Sequence, residues 1–198
     1  MPTAWQAIID DFKAVVPAVD FWSLRLVDDA YETLQVRDDV VQPPSLSRSR
    51  GAHISLMDRG GMAYAATSAL TRDGLRAACE RAVDWLAISR RHPLIEPERV
   101  PRPARGGHYS AAVDTPWESW SVKEKLELLQ DINRTLSIDD SIVDRRAYLT
   151  RRQTDISLLT SDCIEIDQAF HYLVPGYAAV ANRDAQTQMR TGGGWGSA

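Results

Sequence analysis

The sequence predicts an α+β fold, with an N-terminal helix–antiparallel sheet–helix domain and a second domain in which one helix packs on an antiparallel sheet. Two observations support this prediction. Apolar residues recur at helical spacing in three segments, 3–16, 71–91 and 121–136. Between and after these segments, apolar and polar residues alternate, which is typical of strands with one buried face.

The first domain opens with a helix over residues 3–16, and Pro17 ends it because proline cannot continue a helix. Two strands are predicted next, at Asp20–Val27 and Tyr31–Val36, with Asp28-Asp29 turning the chain between them. The apolar stripe of the helix consists of Trp5, Ile8, Ile9, Phe12, Val15 and Val16.

The middle of this domain combines a loop, a hairpin and a helix. Residues 42–50 carry two prolines among serines and arginines, which predicts a mobile loop. A β-hairpin follows, with strands at 52–56 and 62–66 and a turn at 58–61. The strongest helix of the chain is predicted at 71–91, with Thr71 as its N-cap. Its buried face comprises Leu75, Cys79, Ala82 and Leu86.

Residues 92–107 contain four prolines and two glycines and are the best candidate for a domain boundary. The sequence therefore divides into an N-terminal domain at 1–91, a linker at 92–107 and a second α+β domain at 108–198.

The second domain is predicted to begin with a helix, because Ser121 and Glu124 have the spacing of a capping box. Turns are expected at 161–162 and 175–176. Five short strands follow the helix: Ile142–Arg151, Asp155–Leu159, Cys163–Asp167, Ala169–Val174 and Tyr177–Ala181. The last strands carry apolar residues at both alternations, so part of this sheet is expected to be covered by a second surface.

Composition places the chain among ordinary globular proteins, with 44% hydrophobic and 25% charged residues. The net charge of −4 argues against nucleic acid as the main partner, because phosphate binding needs clustered lysine and arginine. The sequence shows no segment long enough to span a membrane and no secretory signal. Cys79 and Cys163 are expected to be buried free thiols, which predicts a cytoplasmic protein.

The residue patterns predict no catalytic, metal-binding or cofactor-binding residue in this chain. The four histidines lack a second ligand at metal-site spacing: His53 and His171 fall in strands, His92 and His108 in or beside the linker. Cys79 lies on an apolar helix face, where ionisation of the thiol is suppressed. Cys163 is expected in the core rather than as a nucleophile.

Two further motifs have structural interpretations. Four arginines crowd one predicted strand, and because acidic residues lie nearby, a charge-balanced sheet face is favoured over a nucleic-acid surface. They are Arg145, Arg146, Arg151 and Arg152. The glycine cluster 192–196 lacks the following helix of a phosphate loop, so it is expected to be flexible or closely packed backbone.

Taken in order, these segments resemble the N-terminal half of the TldD/PmbA family of metallopeptidases, long labelled modulators of DNA gyrase. The resemblance spans essentially the whole chain, and its most specific segment is Ser121–Leu129. The other segments that carry it are Phe21–Leu26, Gly51–Leu56, Gly61–Ala65, the helix after Leu70-Thr71, the proline-rich linker, Val113-Asp114 and the glycines at 192–196. The match is closer to the TldD side of the family than to the TldE side.

The resemblance implies a zinc-dependent peptidase that acts as a dimer, often TldD with TldE, on peptides or unfolded segments. In that family a His-Glu-x-x-x-His helix and a later cysteine hold the zinc. These residues have no counterpart in this sequence, so the resemblance implies an incomplete second domain, an absent catalytic domain and no activity of this chain by itself.

Three functions remain open from the sequence. The preferred one is the N-terminal, non-catalytic part of a TldD-like metallopeptidase that provides dimer contacts and walls of a substrate channel. Its partner would be a second copy or a TldE/PmbA-like chain. The alternatives are a stand-alone interaction protein that regulates a TldD or TldE partner, and an effector of gyrase or nucleic acid. The acidic pI of about 5.6 counts against the last.

Overall fold

The computed structural model describes residues 3–92, 96, 99, 101–102 and 104–194. Its regular elements confirm the α+β class. The helices are α1 (Thr3–Lys13), α2 (Arg72–Ser89) and α3 (Val122–Thr135), with a short 3-10 helix at Trp117–Ser119. The strands are β1 (Phe21–Arg37), β2 (Val40–Val41), β3 (Ser45–Asp58), β4 (Gly61–Thr67), β5 (Gly107–Ser110), β6 (Ile142–Thr160), β7 (Glu165–Arg183) and β8 (Gln186–Gly193).

The strands form one sheet in the order β4-β3-β1-β6-β7-β5, with β2 paired to β1 and β8 paired to β7. The pairs β3–β4 and β7–β8 are antiparallel hairpins, whereas β5 pairs with β7 in parallel. The chain divides into two compact units, and neither is continuous in sequence. The first unit comprises Met1–Asp29, Ser49–Ser110 and Thr154–Ala169, and the second comprises Ala30–Arg48, Ala111–Gln153 and Phe170–Ala198.

The first unit has a core between its two helices and its part of the sheet. Phe12 from α1 is fully buried and meets Trp22 of β1 edge-on, with ring centroids 5.1 Å apart. The predicted face of α2 is the buried one, and the Thr71 hydroxyl accepts from the Gly74 N–H at the predicted N-cap. The other buried members of this cluster include Trp5, Ile9, Leu24, Leu26, Ile54, Leu56, Leu75 and Leu86.

The second unit has a smaller core beneath α3. The predicted capping box is present, since Ser121 accepts from the Glu124 N–H and Glu124 accepts from the Ser121 N–H. Helical spacing predicts a buried side of α3 made of Val122, Leu126, Leu129 and Leu136. The structure differs in part, because Leu129 is buried but Val122 is exposed, while the polar Lys125 and Asn133 are buried. The apolar cluster consists of Leu34, Val36, Leu129, Ala147 and Leu149.

The predicted turn at Asp28-Asp29 is wrong, because β1 continues through it as one strand of 17 residues. The structure shows why two adjacent acidic residues are tolerated there. Arg50 lies 3.1 Å from the Asp28 carboxylate, and the Thr154 hydroxyl donates to the Asp29 carboxylate at 2.5 Å. Partners distant in sequence therefore satisfy both charges within the strand.

The predicted loop at 42–50 is also wrong from residue 45 onward, where β3 begins. Residues 45–50 of this strand are all exposed, so the apolar alternation that marks a half-buried strand is missing. Arg50 is held by Asp28 and lies over the Trp5 ring at 4.6 Å.

In the second half of the chain, the structure has two long strands, β6 and β7, of 19 residues each, where the sequence predicted five short ones. The strands β5 and β8 were not predicted. The turn at 161–162 is present, but Pro175-Gly176 lies inside β7.

Gly176 is needed there, because a Cβ atom would lie 2.2 Å from the Tyr148 ring. Gly192 is packed in the same way against Tyr177, which confirms close packing for the start of the glycine cluster. Residues 195 and 196 lie outside the described part.

The predicted boundary at 92–107 stays a prediction, and part of it, including Pro93, Pro97 and Pro103, lies outside the described residues. We expect limited trypsin digestion to cut first between Arg91 and Arg105, giving two fragments of similar size on a denaturing gel.

The fragments should nevertheless elute together under native conditions, because the first unit draws on chain from both sides of the cut. For example, Ser161 N–H donates to the Trp22 carbonyl at 3.0 Å. Mass spectrometry of the fragments and native gel filtration test this. First cuts inside α2 would contradict the predicted boundary.

Candidate functional site

A surface cleft in the second unit combines aromatic, charged and backbone groups. Its volume is about 450 Å³. The lining residues come from the segment before α3, from β6 and from β7: Ala112, Val113, Thr115, Pro116, Trp117, Glu118, Arg151, His171, Tyr172 and Leu173. We call it the Trp117 cleft.

Trp117 is held from two directions. Its indole N–H donates to the Glu32 carboxylate at 2.9 Å, and the Lys125 ammonium lies 3.6 Å from the ring centroid. Lys125 is only 3% exposed, so this cation–π contact is largely shielded from water. The short helix that carries Trp117 is closed by Ser119, whose N–H and hydroxyl both donate to the Pro116 carbonyl. The indole is therefore a fixed wall of the cleft.

The polar side of the cleft is an ion pair. Arg151 lies 3.1 Å from the Glu118 carboxylate and donates to the Gln153 side-chain oxygen at 2.8 Å. The Arg151 side chain is 26% exposed and Glu118 is 67% exposed, so water screens this ion pair mainly from the side of the carboxylate.

The third wall is the middle of β7. His171, Tyr172 and Leu173 are all exposed, and the Tyr172 ring lies parallel to that of Phe170 with centroids 6.2 Å apart. An exposed tyrosine and leucine beside a fixed tryptophan give the cleft an apolar lining with a few polar groups, as is usual for binding sites.

The arginines on β6 have partners in the second unit, which confirms the interpretation as a charge-balanced face. Arg145 pairs with Asp39, and Arg146 lies 3.7 Å from Asp144. Arg152 lies over the Tyr31 ring at 4.9 Å.

The two cysteines are free, but only one is buried as predicted. Burial raises the pKa of the Cys79 thiol to about 11, and Glu80 adds to this effect. A thiol with so high a pKa is little ionised at neutral pH, and its role as a non-nucleophile stays a prediction. The prediction for Cys163 is wrong: it is exposed, with a φ of 58° in the turn before β7.

The histidines are dispersed. His53 lies in β3 and His171 in β7 as predicted, whereas His108 lies in β5. Within the described residues, no three His, Cys, Asp or Glu side chains come together as a metal site requires. The described part therefore does not fit the zinc that the resemblance implies for the whole enzyme, and the prediction of no site residues stays a prediction. No helix among the described residues is long and apolar enough to cross a membrane.

Among these histidines, His53 has a perturbed pKa and a stacking partner, Tyr64, 5.2 Å away. Burial lowers the pKa of His53, and the charge of Arg25 adds to this. The unfolded chain therefore binds a proton at His53 more readily than the folded chain does. The contribution of neutral His53 to the free energy of unfolding is fully present above pH 6.5, and it decreases as the pH falls below that value.

We therefore expect the melting temperature to fall between pH 7.5 and pH 5.5, and the fall to be smaller in His53→Gln. The exposed His108 supplies the control, since His108→Gln should retain the wild-type pH dependence. Equal pH profiles for wild type and His53→Gln would contradict this assignment.

Sequence reasoning singled out Arg151 and His171 separately, but not the cleft that they share. Trp117 and Glu118 were not identified, because their partners Glu32 and Arg151 lie far away in sequence. Lys125 was not identified either, because helical spacing gave no sign that its ammonium contacts the Trp117 ring. The one available signal was the position of Trp117 just before the capping box of α3.

Comparisons with known proteins match part of the chain to one family. The sequence model of PmbA/TldA metallopeptidase domain 1 matches residues 22–86. No curated protein matches the chain in sequence.

Solved structures show the fold. The chain is similar to a proposed modulator of DNA gyrase from Bacteroides thetaiotaomicron, with a TM-score of 0.70 and 14% identity, covering 94% of this chain and 42% of that one. A proposed DNA gyrase modulator from Thermotoga maritima gives 0.65 and 14% over the same shares. TldE from Thermococcus kodakarensis gives 0.63 and 11%, over 96% of this chain and 43% of that one.

At these identities the structural likeness establishes the fold, and the chain spans less than half the length of each of these relatives. The comparisons do not separate TldD from TldE, so closeness to TldD stays a prediction. The residues matched by the family model form β1, β2, the β3–β4 hairpin and most of α2. Residues 22–86 match the first domain of the PmbA/TldA metallopeptidase family, and the fold of the chain is similar to that of two proposed modulators of DNA gyrase and of TldE.

Proposed function

We propose that this chain is the N-terminal, non-catalytic part of a TldD-like zinc metallopeptidase of the cytoplasm. The observation that carries the proposal is the match of residues 22–86 to the first domain of that family. The fold likeness over more than nine tenths of the chain supports it. In the proposed parent enzyme, the zinc and the catalytic residues come from outside these 198 residues.

Within that enzyme, the chain would form walls of the substrate channel and contacts to a second subunit, either another copy or a TldE/PmbA-like chain. The Trp117 cleft suits the first role. Its fixed indole and exposed Tyr172 and Leu173 offer apolar contacts, and the Arg151–Glu118 pair offers a charge of each sign. An unfolded peptide exposes apolar and charged side chains along an extended backbone. This lining therefore favours unfolded peptides as the class of ligand.

The size of the native species tests the proposal. An antibody raised against this chain should detect, in extracts of the source cell, a protein more than twice as heavy as 22.1 kDa. That protein should contain zinc and cleave unfolded casein until a chelator is added. A native species of 22.1 kDa that co-purifies with a separate peptidase would overturn the proposal and support the stand-alone regulator instead.

The role of the cleft has its own test in the native peptidase. We expect Trp117→Ala to raise the KM for unfolded casein roughly tenfold, because truncating a fixed aromatic wall removes about 1–2 kcal/mol of binding. Zinc content and kcat should change little, since the cleft contributes no metal ligand.

Trp120→Ala is the matched control, because Trp120 is 48% exposed near Trp117 but does not line the cleft. Equal KM values for the two variants would remove the cleft from substrate binding and leave the family assignment intact.

A further inference from the structure

Arg151 contacts both of its partners through one nitrogen atom. Its Nη2 lies 3.1 Å from the Glu118 carboxylate and 2.8 Å from the Gln153 side-chain oxygen. Within the described residues, the other terminal nitrogen, Nη1, makes no hydrogen bond or ion pair. It is not sealed inside the protein, since the one fully buried side-chain nitrogen or oxygen without a partner in that part is Nε of Arg146. Arg151 therefore keeps N–H donors that a ligand can reach.

This guanidinium lies beside apolar surface. Its Nη2 is at the Trp117 cleft, because its partner Glu118 lines the same cavity. The indole, Tyr172 and Leu173 line it as well, and the last two are 44% and 58% exposed. The indole N–H is already used by the Glu32 carboxylate. The donor that a ligand meets beside the apolar wall is thus the arginine.

The two members of the ion pair differ in the cost of replacing them. Glu118 is 67% exposed and can turn into water, because an exposed ion pair contributes little to stability. Arg151 is 26% exposed, and leaving a partly buried charge without its partner costs more. An incoming carboxylate replaces Glu118, whereas an incoming cation would have to replace Arg151. The exposed fractions therefore favour an anionic ligand.

The neighbouring charges favour the same kind of ligand. Arg151 and Lys125 are balanced by Glu118 and Glu32 at the wall of the cleft. When Glu118 turns outward, this group is left with one positive charge in excess. Lys125 is 3% exposed, so its charge is poorly screened by water. A ligand carboxylate at Arg151 restores the balance.

We propose that the Trp117 cleft binds the C-terminal residue of a peptide, with the terminal carboxylate on Arg151 and an apolar side chain against Trp117 and Tyr172. This inference rests on the proposed function, from which the peptide ligand is taken. The carboxylate accepts from Nη1 and Nη2 in the two-bond geometry that a guanidinium offers, and Glu118 turns into water.

The chain end is the occupant because its carboxylate and its side chain are attached to the same Cα atom. Both groups therefore reach one cleft of about 450 Å³. In the middle of an extended peptide, the charge of an acidic residue and an apolar side chain belong to different residues. Neighbouring side chains of an extended chain point to opposite sides, so they do not enter one cleft together.

Binding of labelled peptides to the full chain tests the proposal. The probe is Gly-Ser-Gly-Ser-Phe with an N-terminal fluorophore and a free carboxylate, and binding is followed by fluorescence anisotropy. We expect the same peptide with a C-terminal amide to bind roughly tenfold more weakly, because it loses a charge-assisted contact. An amidated peptide with Glu in place of the last Ser should bind no better than the plain amide.

Glu118→Gln tests the displacement. Removing the carboxylate that competes for Nη2 should strengthen binding of the acid peptide several-fold and leave binding of the amide peptide unchanged. Glu127→Gln is the matched control and should bind like wild type. Glu127 is 57% exposed on α3, pairs with Lys123 at 3.7 Å and does not line the cleft.

Arg151→Gln should bind the acid and amide peptides alike. The peptide comparison on the wild-type chain and the Glu118→Gln variant both keep Arg151, so they test the proposal even if Arg151→Gln fails to fold.

Equal affinities of the wild-type chain for the acid and amide peptides would overturn the proposal, as would unchanged binding in Glu118→Gln. Absence of binding of the acid peptide at millimolar concentration would do the same. Tight binding of the amidated Glu peptide would show that an acidic side chain occupies the cleft instead of the chain end. These outcomes leave the proposed function intact, because it depends on the size and zinc content of the native protein. A native species of 22.1 kDa would overturn that function without changing the difference between the two peptides.

Discussion

Phe12→Ala is expected to destabilise the first unit by about 4 kcal/mol, because truncating a buried phenylalanine removes apolar contacts and leaves a cavity. Phe12 is fully buried and touches Trp22 edge-on, so the aromatic contact is lost as well. Its carbonyl also accepts from the N–H groups of Val15 and Val16 at the end of α1. The cavity would therefore lie beneath the point where the chain leaves the helix.

Urea denaturation followed by circular dichroism measures the loss. Gln6→Ala is the control on the same helix, because Gln6 is exposed and its side chain donates to Asp10 at the surface. That variant should change the free energy of unfolding by less than about 0.5 kcal/mol. A loss below 1 kcal/mol for Phe12→Ala would show that α1 is not part of the stabilising core.

The prediction for Phe12 illustrates what the sequence could establish. The 3.6-residue spacing of apolar side chains on α1, α2 and α3 locates all three helices, and the period of two locates the β3–β4 hairpin. These are local patterns of hydrophobicity, and each element buries the face that its pattern indicates, apart from the polar members of α3.

The errors in strand boundaries have one physical origin: local polarity favours turns and loops, but polar segments can also lie inside long strands. Asp28-Asp29 and residues 45–50 are polar, yet both segments are strand. Arg50 pairs with the Asp28 carboxylate, and Thr154 donates a hydrogen bond to the Asp29 carboxylate. Pro175-Gly176 is a turn signal, but Tyr148 covers the glycine inside β7. A local sequence pattern gives no information about which residue on another strand will contact a given side chain.

The candidate site could not be predicted from the sequence for the same reason, namely that its residues meet only through contacts between distant segments. Trp117, Arg151 and His171 come from three elements, and only the topology of the second unit brings them to one cleft. Lys125 occupies a position on α3 that a helical pattern assigns to the surface, and its burial depends on the Trp117 ring. The sequence segments that resemble the TldD/PmbA family indicate the family but give no sign of the Trp117 cleft.

Asn133→Ala is expected to have the largest effect in the second unit, about 3 kcal/mol, because a fully buried amide there bonds to three residues. Its amide nitrogen donates to the Arg145 carbonyl at 3.0 Å and to the Val36 carbonyl at 3.4 Å. Its oxygen accepts from the Asp39 N–H at 2.9 Å and from the Arg145 guanidinium at 3.2 Å. Alanine would leave these buried and partly buried groups without their partner and add a small cavity.

Hydrogen exchange followed by mass spectrometry localises that effect. Peptides covering Val36–Asp39 and Arg145 should exchange faster in Asn133→Ala, because the amide is what joins α3 to both segments. Asp131→Ala is the control on the same helix, since Asp131 is exposed and pairs with Arg134 at the surface. If Asn133→Ala and Asp131→Ala exchanged alike, the buried amide would not be the group that fixes α3 on the second unit's sheet. Its four hydrogen bonds would then contribute no more than a surface ion pair.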